Sequence, residues 1–236
     1  MNIAVVFAGG TGQRMNTKSK PKQFLELHGK PILIYTLEAF QNHSEIDGII
    51  LVILEEWITY CEELVDRYRL TKVNAVIAGG ESALLSQYNG LVKANELYGE
   101  NAIVLIHDGV RPLIDNDTIS KNIASVKKLG SAITVSPAIE TIVIKTEGGE
   151  IGEIIERSKV ELARAPQSFY LRDIIEAHKK AQLDGEAFID SASLMQHYGY
   201  HLHSVNGSPE NIKITTPNDF YTFRALVDAR ENSQIY

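Results

Sequence analysis

Cysteine is almost missing from this chain, with only Cys61 in 236 residues. One thiol closes no disulfide within the chain and builds no cysteine-based zinc cluster. Long apolar runs are missing too. The longest, such as Ile49–Leu54, span about six residues where a membrane helix needs roughly 20. The start, Met1-Asn2-Ile3-Ala4, runs into a strand-like stretch without the basic segment and small-residue cleavage site of a signal peptide, so a cytoplasmic protein is expected. No repeat, low-complexity tract or linker interrupts the chain. A composition of 44% hydrophobic and 22% charged residues, with 17 Gly and 7 Pro, argues against disorder, collagen and coiled coil. Positive charge is in deficit: 23 Lys and Arg against 30 Asp and Glu leave a net charge of −7, unsuited to general nucleic-acid binding.

What is present is an alternation of strands and helices. Continuous apolar stretches at Asn2–Ala8, Gly48–Ile53, Val73–Ala78, Ala102–Ile106 and Ala132–Val135 read as buried strands. Helical spacing falls between them, at Pro31–Phe40, Glu56–Tyr68, Leu84–Tyr98 and Thr118–Leu129. Asp117 is the expected N-cap of the last of these and Gly130 its stop. Cys61 shares an apolar stripe with Trp57, Tyr60, Leu64, Val65 and Tyr68, so it reads as core. The pattern predicts a three-layer, doubly wound, mostly parallel sheet, whose ligands sit at the carboxyl ends of the strands. Thr141–Lys145 and Glu150–Ile155, split by Glu147-Gly148-Gly149, read as a β-hairpin. One domain over 1–236, with a β-arm at 139–164 inserted in it, is the expected organisation. After the arm, helices are expected at Leu171–Leu183 and Ser191–His197, strands at His201–Val205 and Ile212–Ile214, and a final helix from Thr216-Pro217-Asn218-Asp219.

The chemistry concentrates in Phe7-Ala8-Gly9-Gly10-Thr11-Gly12-Gln13-Arg14-Met15 and Lys20-Pro21-Lys22-Gln23-Phe24. Glycines after a strand let backbone N–H groups approach phosphates closely. Arg14, Lys18, Lys20 and Lys22 add four positive charges without an intervening acid, a local site for an anion in an acidic protein. A dinucleotide loop is disfavoured because Met15 stands where its third glycine would be. A P-loop is disfavoured because Gly29-Lys30 is followed by Pro31. Asp115-Asn116-Asp117 reads as helix capping rather than metal binding. His201 and His203 lack a third ligand nearby and read as structural. Asp190, in Ile189-Asp190-Ser191-Ala192-Ser193, suits an N-cap or a substrate contact.

Ala8-Gly9-Gly10-x-Gly12-x-Arg14-Met15, then Pro21-Lys22-Gln23 and Leu27-x-Gly29-Lys30-Pro31-Ile32, resembles the sugar-nucleotide transferase superfamily. Within it the likeness is to CTP-dependent alditol-phosphate cytidylyltransferases, the methylerythritol-phosphate and ribitol-phosphate type. Gly79-Gly80 with Ser86 resembles the family's cytosine- and ribose-binding loop. Ile106-His107-Asp108-Gly109-Val110-Arg111-Pro112 resembles its His-Asp-x-x-Arg-Pro motif. Thr141 and Arg157 fall in the family's arm, and Asn211-Ile212-Lys213-Ile214-Thr215 closes the site. The resemblance implies nucleotide binding by Ala8, Gly9, Gly10, Gly12, Gly79, Gly80, Ser86 and Asp108. It implies phosphate neutralisation by Arg14, Lys22 and Lys213, and acceptor binding by Asp108, Arg111, Thr141, Arg157 and Asp190. Mg²⁺ would bridge the triphosphate, with Asp108 touching it or its water. The expected partners are CTP, a polyol phosphate and a second copy of the chain that shares its active sites through the arm. Two departures stand out: Ala83 replaces a usual Arg, and Arg164-Ala165-Pro166-Gln167 replaces Gln-Thr-Pro-Gln. The lost Thr belongs to the acceptor-phosphate end, so ribitol 5-phosphate, for wall or capsule polymers, is the first expectation. Arabinitol, glycerol and methylerythritol phosphates are the alternatives. A uridylyl transferase and a non-catalytic nucleotide-binding protein remain the competing classes.

Overall fold

The computed structural model describes residues 1–10 and 20–233. The strands are β1 (Asn2–Phe7), β2 (Glu26–Leu27), β3 (Lys30–Pro31), β4 (Gly48–Ile53), β5 (Val73–Ala78), β6 (Ile103–Asp108), β7 (Ser131–Pro137), β8 (Ile142–Lys145), β9 (Ile151–Ile155), β10 (Glu161–Tyr170) and β11 (Ser204–Asn206). The helices are α1 (Ile32–Gln41), α2 (Ile58–Arg67), α3 (Ala83–Tyr98), α4 (Asn116–Leu129), α5 (Leu171–Asp184), α6 (Ser191–His197) and α7 (Pro217–Ser233).

Seven strands form the central sheet in the order β11-β7-β10-β6-β1-β4-β5. All neighbours are parallel except β10, which runs antiparallel to both β6 and β7. The period-two alternation of strands sorts the core onto two faces. Ala4, Val6, Ile49 and Leu51 face α1, α2 and α4 on one side, and Ile3, Val5, Ile50 and Val52 face α3, α5 and α6 on the other. Cys61 is buried in the first layer, and burial pushes its thiol up to about 12, which makes it packing rather than a nucleophile. From β1 the chain winds to β4 and β5, then returns to place β6 on the other side of β1. That reversal opens a crevice at the carboxyl ends of β1 and β6. Gly109 N–H closes the crevice floor on Phe7 O at 2.9 Å. A Cβ on Gly109 would stand 2.8 Å from that of Ala8, so only glycine lets the two strand ends approach this closely.

Several expectations shift. β10 passes through Pro166, and the ladder accommodates it by a register shift against β7 between Ala163 and Gln167. Residues 161–164, expected in the arm, start this central strand, paired with β7 from Glu161↔Pro137 to Ala163↔Val135. The cap of α4 is Asp115 rather than Asp117: its Oδ1 accepts from Thr118 N–H at 2.6 Å. Ile212–Ile214 is not a strand, since Ile214 N–H makes a single bridge to Val110 O. The strand expected at His201–Val205 begins only at Ser204, because Ser131 Oγ engages the His203 N–H in place of a ladder partner. The stretch from Glu56 opens as a 3-10 turn, Glu55–Trp57, before α2. The hairpin forms as expected, as a separate two-stranded sheet of β8 and β9.

Candidate active site

Two adjoining cavities occupy the crevice. The larger, about 540 Å³, lies between the loop after β1 and the start of α3, and its walls include Gly9, Gly10, Lys22, Gly80, Ser86 and Lys213. The smaller, about 220 Å³, extends under β10 and is walled by Arg111, Arg164, Gln167 and Asp190. Asp108, Lys213, Phe7 and Ala83 border both. Ala83 is the first residue of α3, and its one-carbon side chain stands where the two cavities meet.

The first cavity is shaped by short-range fit. Gln23, fully buried, donates from Nε2 to Ala8 O at 2.7 Å and fixes the end of β1. Lys22 lies along Gly10, its Cε 3.8 Å from where a Gly10 Cβ would stand. Gly80 N–H donates to Ser86 Oγ at 3.0 Å, and that hydroxyl has Ser82 O at 2.9 Å as its own acceptor. Ser86 therefore holds the Gly79-Gly80 loop in shape. A Cβ on Gly79 would come within 2.7 Å of Ser86 Oγ, so this contact requires glycine.

At the junction Asp108 binds two cations. Its Oδ2 accepts from Arg111 Nε at 2.7 Å, and its Oδ1 pairs with Lys213 Nζ at 2.7 Å. Burial works to raise the carboxyl's pKa, but Arg111 and Lys213 outweigh it and hold it below its ordinary value. His107 beside it is pushed down to about 4, chiefly by burial, and its Nε2 donates to Arg111 O at 3.2 Å, fixing the turn that carries Arg111. Arg111 Nη1 and Arg164 Nη1 converge on a single oxygen, Asn211 O, at 3.0 and 3.2 Å. Asn211, wholly buried, is anchored by Nδ2 on Ala165 O at 2.7 Å, which places Lys213 two residues on. Asp190 serves as cap of α6, accepting from Ser193 N–H at 2.8 Å, and also borders the smaller cavity. The N-cap and substrate-contact readings of that residue are therefore compatible.

The structure thus brings Ala8, Gly9, Gly10, Lys22, Gly80, Ser86, Asp108, Arg111, Asp190 and Lys213 to one crevice, with Gly79 behind Ser86. Gly12, Arg14 and Lys18 lie outside the described residues. Lys20 instead places its ammonium over the Tyr60 ring, 5.5 Å from the centroid. Thr141 and Arg157 are not in the crevice. Both are exposed on the arm, where Arg157 Nη1 donates to Ile139 O at 2.9 Å. Sequence reasoning missed Arg164, which a charged residue in place of the usual Gln could have signalled. It also missed the positioning amides of Gln87 and Gln167. These accept from Ser191 Oγ and Ala192 N–H at 2.9 and 2.8 Å and hold the start of α6 over the smaller cavity.

Among the described residues, the one cluster of three metal-binding side chains, His28, Asp228 and Glu231, lies away from this crevice and is exposed or half-buried. At the crevice a single carboxylate, Asp108, meets the junction, with both oxygens already engaged. Such a donor set fits Mg²⁺ that arrives on substrate phosphates and keeps its waters, rather than a resident ion in a protein cage.

Known proteins share this architecture. The ribitol-5-phosphate cytidylyltransferase of Streptococcus agalactiae serotype III is 53% identical over 237 residues, covering 100% of this chain and 99% of that one. The 2-C-methyl-D-erythritol 4-phosphate cytidylyltransferase of Clostridium acetobutylicum is 39% identical over 228 residues, covering 96% and 97%. The crystal structure of 4-diphosphocytidyl-2C-methyl-D-erythritol synthase from Anaerococcus prevotii superposes with a TM-score of 0.84 at 27% identity, covering 96% of each chain. With residues 2–229 matching its family profile, this chain belongs to the IspD family, 2-C-methyl-D-erythritol 4-phosphate cytidylyltransferase.

Proposed function

We propose that the chain transfers the cytidylyl group of CTP to ribitol 5-phosphate, giving CDP-ribitol and pyrophosphate. The observation that carries the choice of acceptor is the full-length identity of 53% to a ribitol-5-phosphate cytidylyltransferase, against 39% to a methylerythritol-phosphate one. The small Ala165, with its carbonyl committed to Asn211, agrees with an acceptor end unlike that of a methylerythritol enzyme.

CTP occupies the larger cavity, its base near the Gly79-Gly80 loop and its phosphates along Gly9, Gly10 and Lys22. The acceptor occupies the smaller one. An oxygen of the acceptor phosphate attacks the α-phosphorus, a new P–O bond forms, and the bond to the β-phosphate breaks to release pyrophosphate. The nucleophile is already an anion, so no general base is required. The protein supplies position and positive charge. Lys213, which borders both cavities, neutralises the α-phosphoryl group as its charge grows, and Lys22 and Arg14 hold the leaving pyrophosphate. Asp108 would hold Mg²⁺ that enters with CTP, and the ion would supply charge neutralisation at the triphosphate.

The active unit is a homodimer. Ile139, Ile151 and Ile154 on the arm are 74%, 65% and 65% exposed, too much apolar surface for a two-stranded ribbon to leave in water. A second arm covering them would carry Thr141 and Arg157 toward the partner's smaller cavity, where neither reaches in its own chain.

The test is a pyrophosphate-release assay with CTP and Mg²⁺ against ribitol, arabinitol, glycerol and methylerythritol phosphates. Ribitol 5-phosphate should give the highest kcat/KM, with CTP preferred over UTP by at least roughly 100-fold, since a base-pairing pocket leaves buried groups unpaired with the wrong base. Faster transfer to methylerythritol phosphate, or equal rates with UTP, would overturn the assignment.

A further inference from the structure

Among the described residues, no carboxylate balances the charge of Arg164. Its guanidinium is half-buried on β10. Its Nε donates to Ser136 Oγ at 2.6 Å and its Nη1 to Asn211 O at 3.2 Å, both neutral acceptors. A second cation adjoins it: Arg111 donates to the same carbonyl oxygen at 3.0 Å. Arg111 and Lys213 share one carboxylate, that of Asp108, so the three cations at this junction meet a single negative charge and Arg164 is the one without contact to it. Burial and the neighbouring Arg111 both disfavour the charged form of Arg164, the opposite of what a partner carboxylate would do. The two bonds fix the fork while Nη2 makes no hydrogen bond among the described residues, and the group borders the smaller cavity but not the larger one.

A guanidinium held rigid by neutral bonds, pressed against a like charge and open to a cavity, is a site prepared for an anion. The proposed reaction brings two anions to the crevice, and the triphosphate belongs to the Gly-loop side. We propose that Arg164 binds the phosphate of the acceptor, and that it is the residue through which this chain selects phosphorylated over unphosphorylated polyols. The inference rests on the cytidylyltransferase reading for its substrate but not for its site, because the unbalanced charge exists whatever the reaction.

The experiment compares the wild type with Arg164→Gln and Arg164→Lys, with Ser136→Ala as a control that keeps the charge. Arg164→Gln should raise the acceptor KM by about 10- to 100-fold, the range for losing one charge-assisted hydrogen bond. KM for CTP should stay within about twofold. Arg164→Lys should recover part of the loss, which a merely structural role would not produce, and Ser136→Ala should change the acceptor KM less than Arg164→Gln does. Independently of transfer, calorimetry with inorganic phosphate should show binding to the wild type and weakened binding to Arg164→Gln. An unchanged acceptor KM in Arg164→Gln, or a rise in the CTP KM instead, overturns the proposal. If no polyol phosphate is turned over by the wild type, the functional reading falls. Phosphate binding then decides Arg164 alone: loss in the variant upholds it, and equal or absent binding in both overturns it. Should Arg164→Gln fail to fold, the equally uncharged Arg164→Met decides, with wild-type acceptor KM and phosphate affinity counting against the proposal.

Discussion

Replacing Asp108 by Asn tests the junction of the two cavities directly. The substitution keeps the size of the side chain and removes its charge. In the native protein Asp108 accepts at 2.7 Å from Arg111 Nε and at 2.7 Å from Lys213 Nζ. An Asn can accept from one of them, but its NH₂ then faces the other, donor to donor. The two sides are unequal. The Lys213 side chain is 43% exposed and turns to water at little cost, whereas that of Arg111 is 11% exposed and cannot. Breaking a fully buried pair costs about 3–5 kcal/mol. With one partner half in water, and Arg111 still bonded to Asn211 O, about 2 kcal/mol is expected at neutral pH. The pH dependence has a fixed sign. Burial would raise the carboxyl, but Arg111 and Lys213 hold it below its ordinary 3.8. A depressed carboxylate contributes its full stabilisation above that value and loses it as pH falls through the lower folded value. Urea unfolding of wild type and Asp108→Asn should therefore differ by about 2 kcal/mol at pH 7, and the gap should narrow only below about pH 4. Turnover should fall with the charge, since Lys213 loses the oxygen that aims it. A variant as stable as the wild type at pH 7, or a gap that closes near pH 6, would refute the bridge.

Three further outcomes follow from the same geometry. Lys22→Ala should lower turnover by roughly 100-fold, the size of losing one electrostatic stabiliser, with much less effect on CTP affinity; near-wild-type turnover would remove Lys22 from the machinery. Arg157→Ala and Lys22→Ala subunits, each impaired alone, should regain activity when mixed under exchange, each hybrid dimer toward half of a wild-type dimer and an equal mixture toward about a quarter, because one site of the hybrid then holds both residues. A persistent lack of recovery with proven exchange, or a monomer by sedimentation, would defeat the shared site. His178 is buried, its Nε2 has no hydrogen-bond partner among the described residues, and burial pushes it down to about 4 from 6.5. Its contribution to stability is intact above pH 6.5 and erodes as pH falls toward 4, by about 3 kcal/mol. His178→Phe should remove that share of the acid sensitivity in urea unfolding, and parallel pH curves would count against it.

Local pattern in the sequence was enough for every element whose cause is local. The apolar runs of β1, β4, β5 and β6, the amphipathic stripe of α2, the Gly130 stop of α4 and the turn between β8 and β9 follow from residue order alone. So does the crevice, since parallel winding leaves ligand loops at the carboxyl ends of β1 and β6 and the glycines and Asp108 fall there. Elements whose stability comes from distant partners were not legible. β10 contains Pro166 and few apolar alternations; it is a strand because β6 and β7 stand ready on either side and a register shift absorbs the proline. Ile212–Ile214 has the composition of a strand but, among the described residues, bridges another segment only at Val110. The cap of α4 moved to Asp115 because that oxygen, not the Asp117 one, meets the Thr118 N–H. Arg164 and Arg111 lie 53 residues apart in sequence, and Asn211 a further 47 beyond Arg164. Their convergence on one carbonyl is a property of the packed sheet and loop: sequence supplies the charges, and only folding decides which of them are balanced.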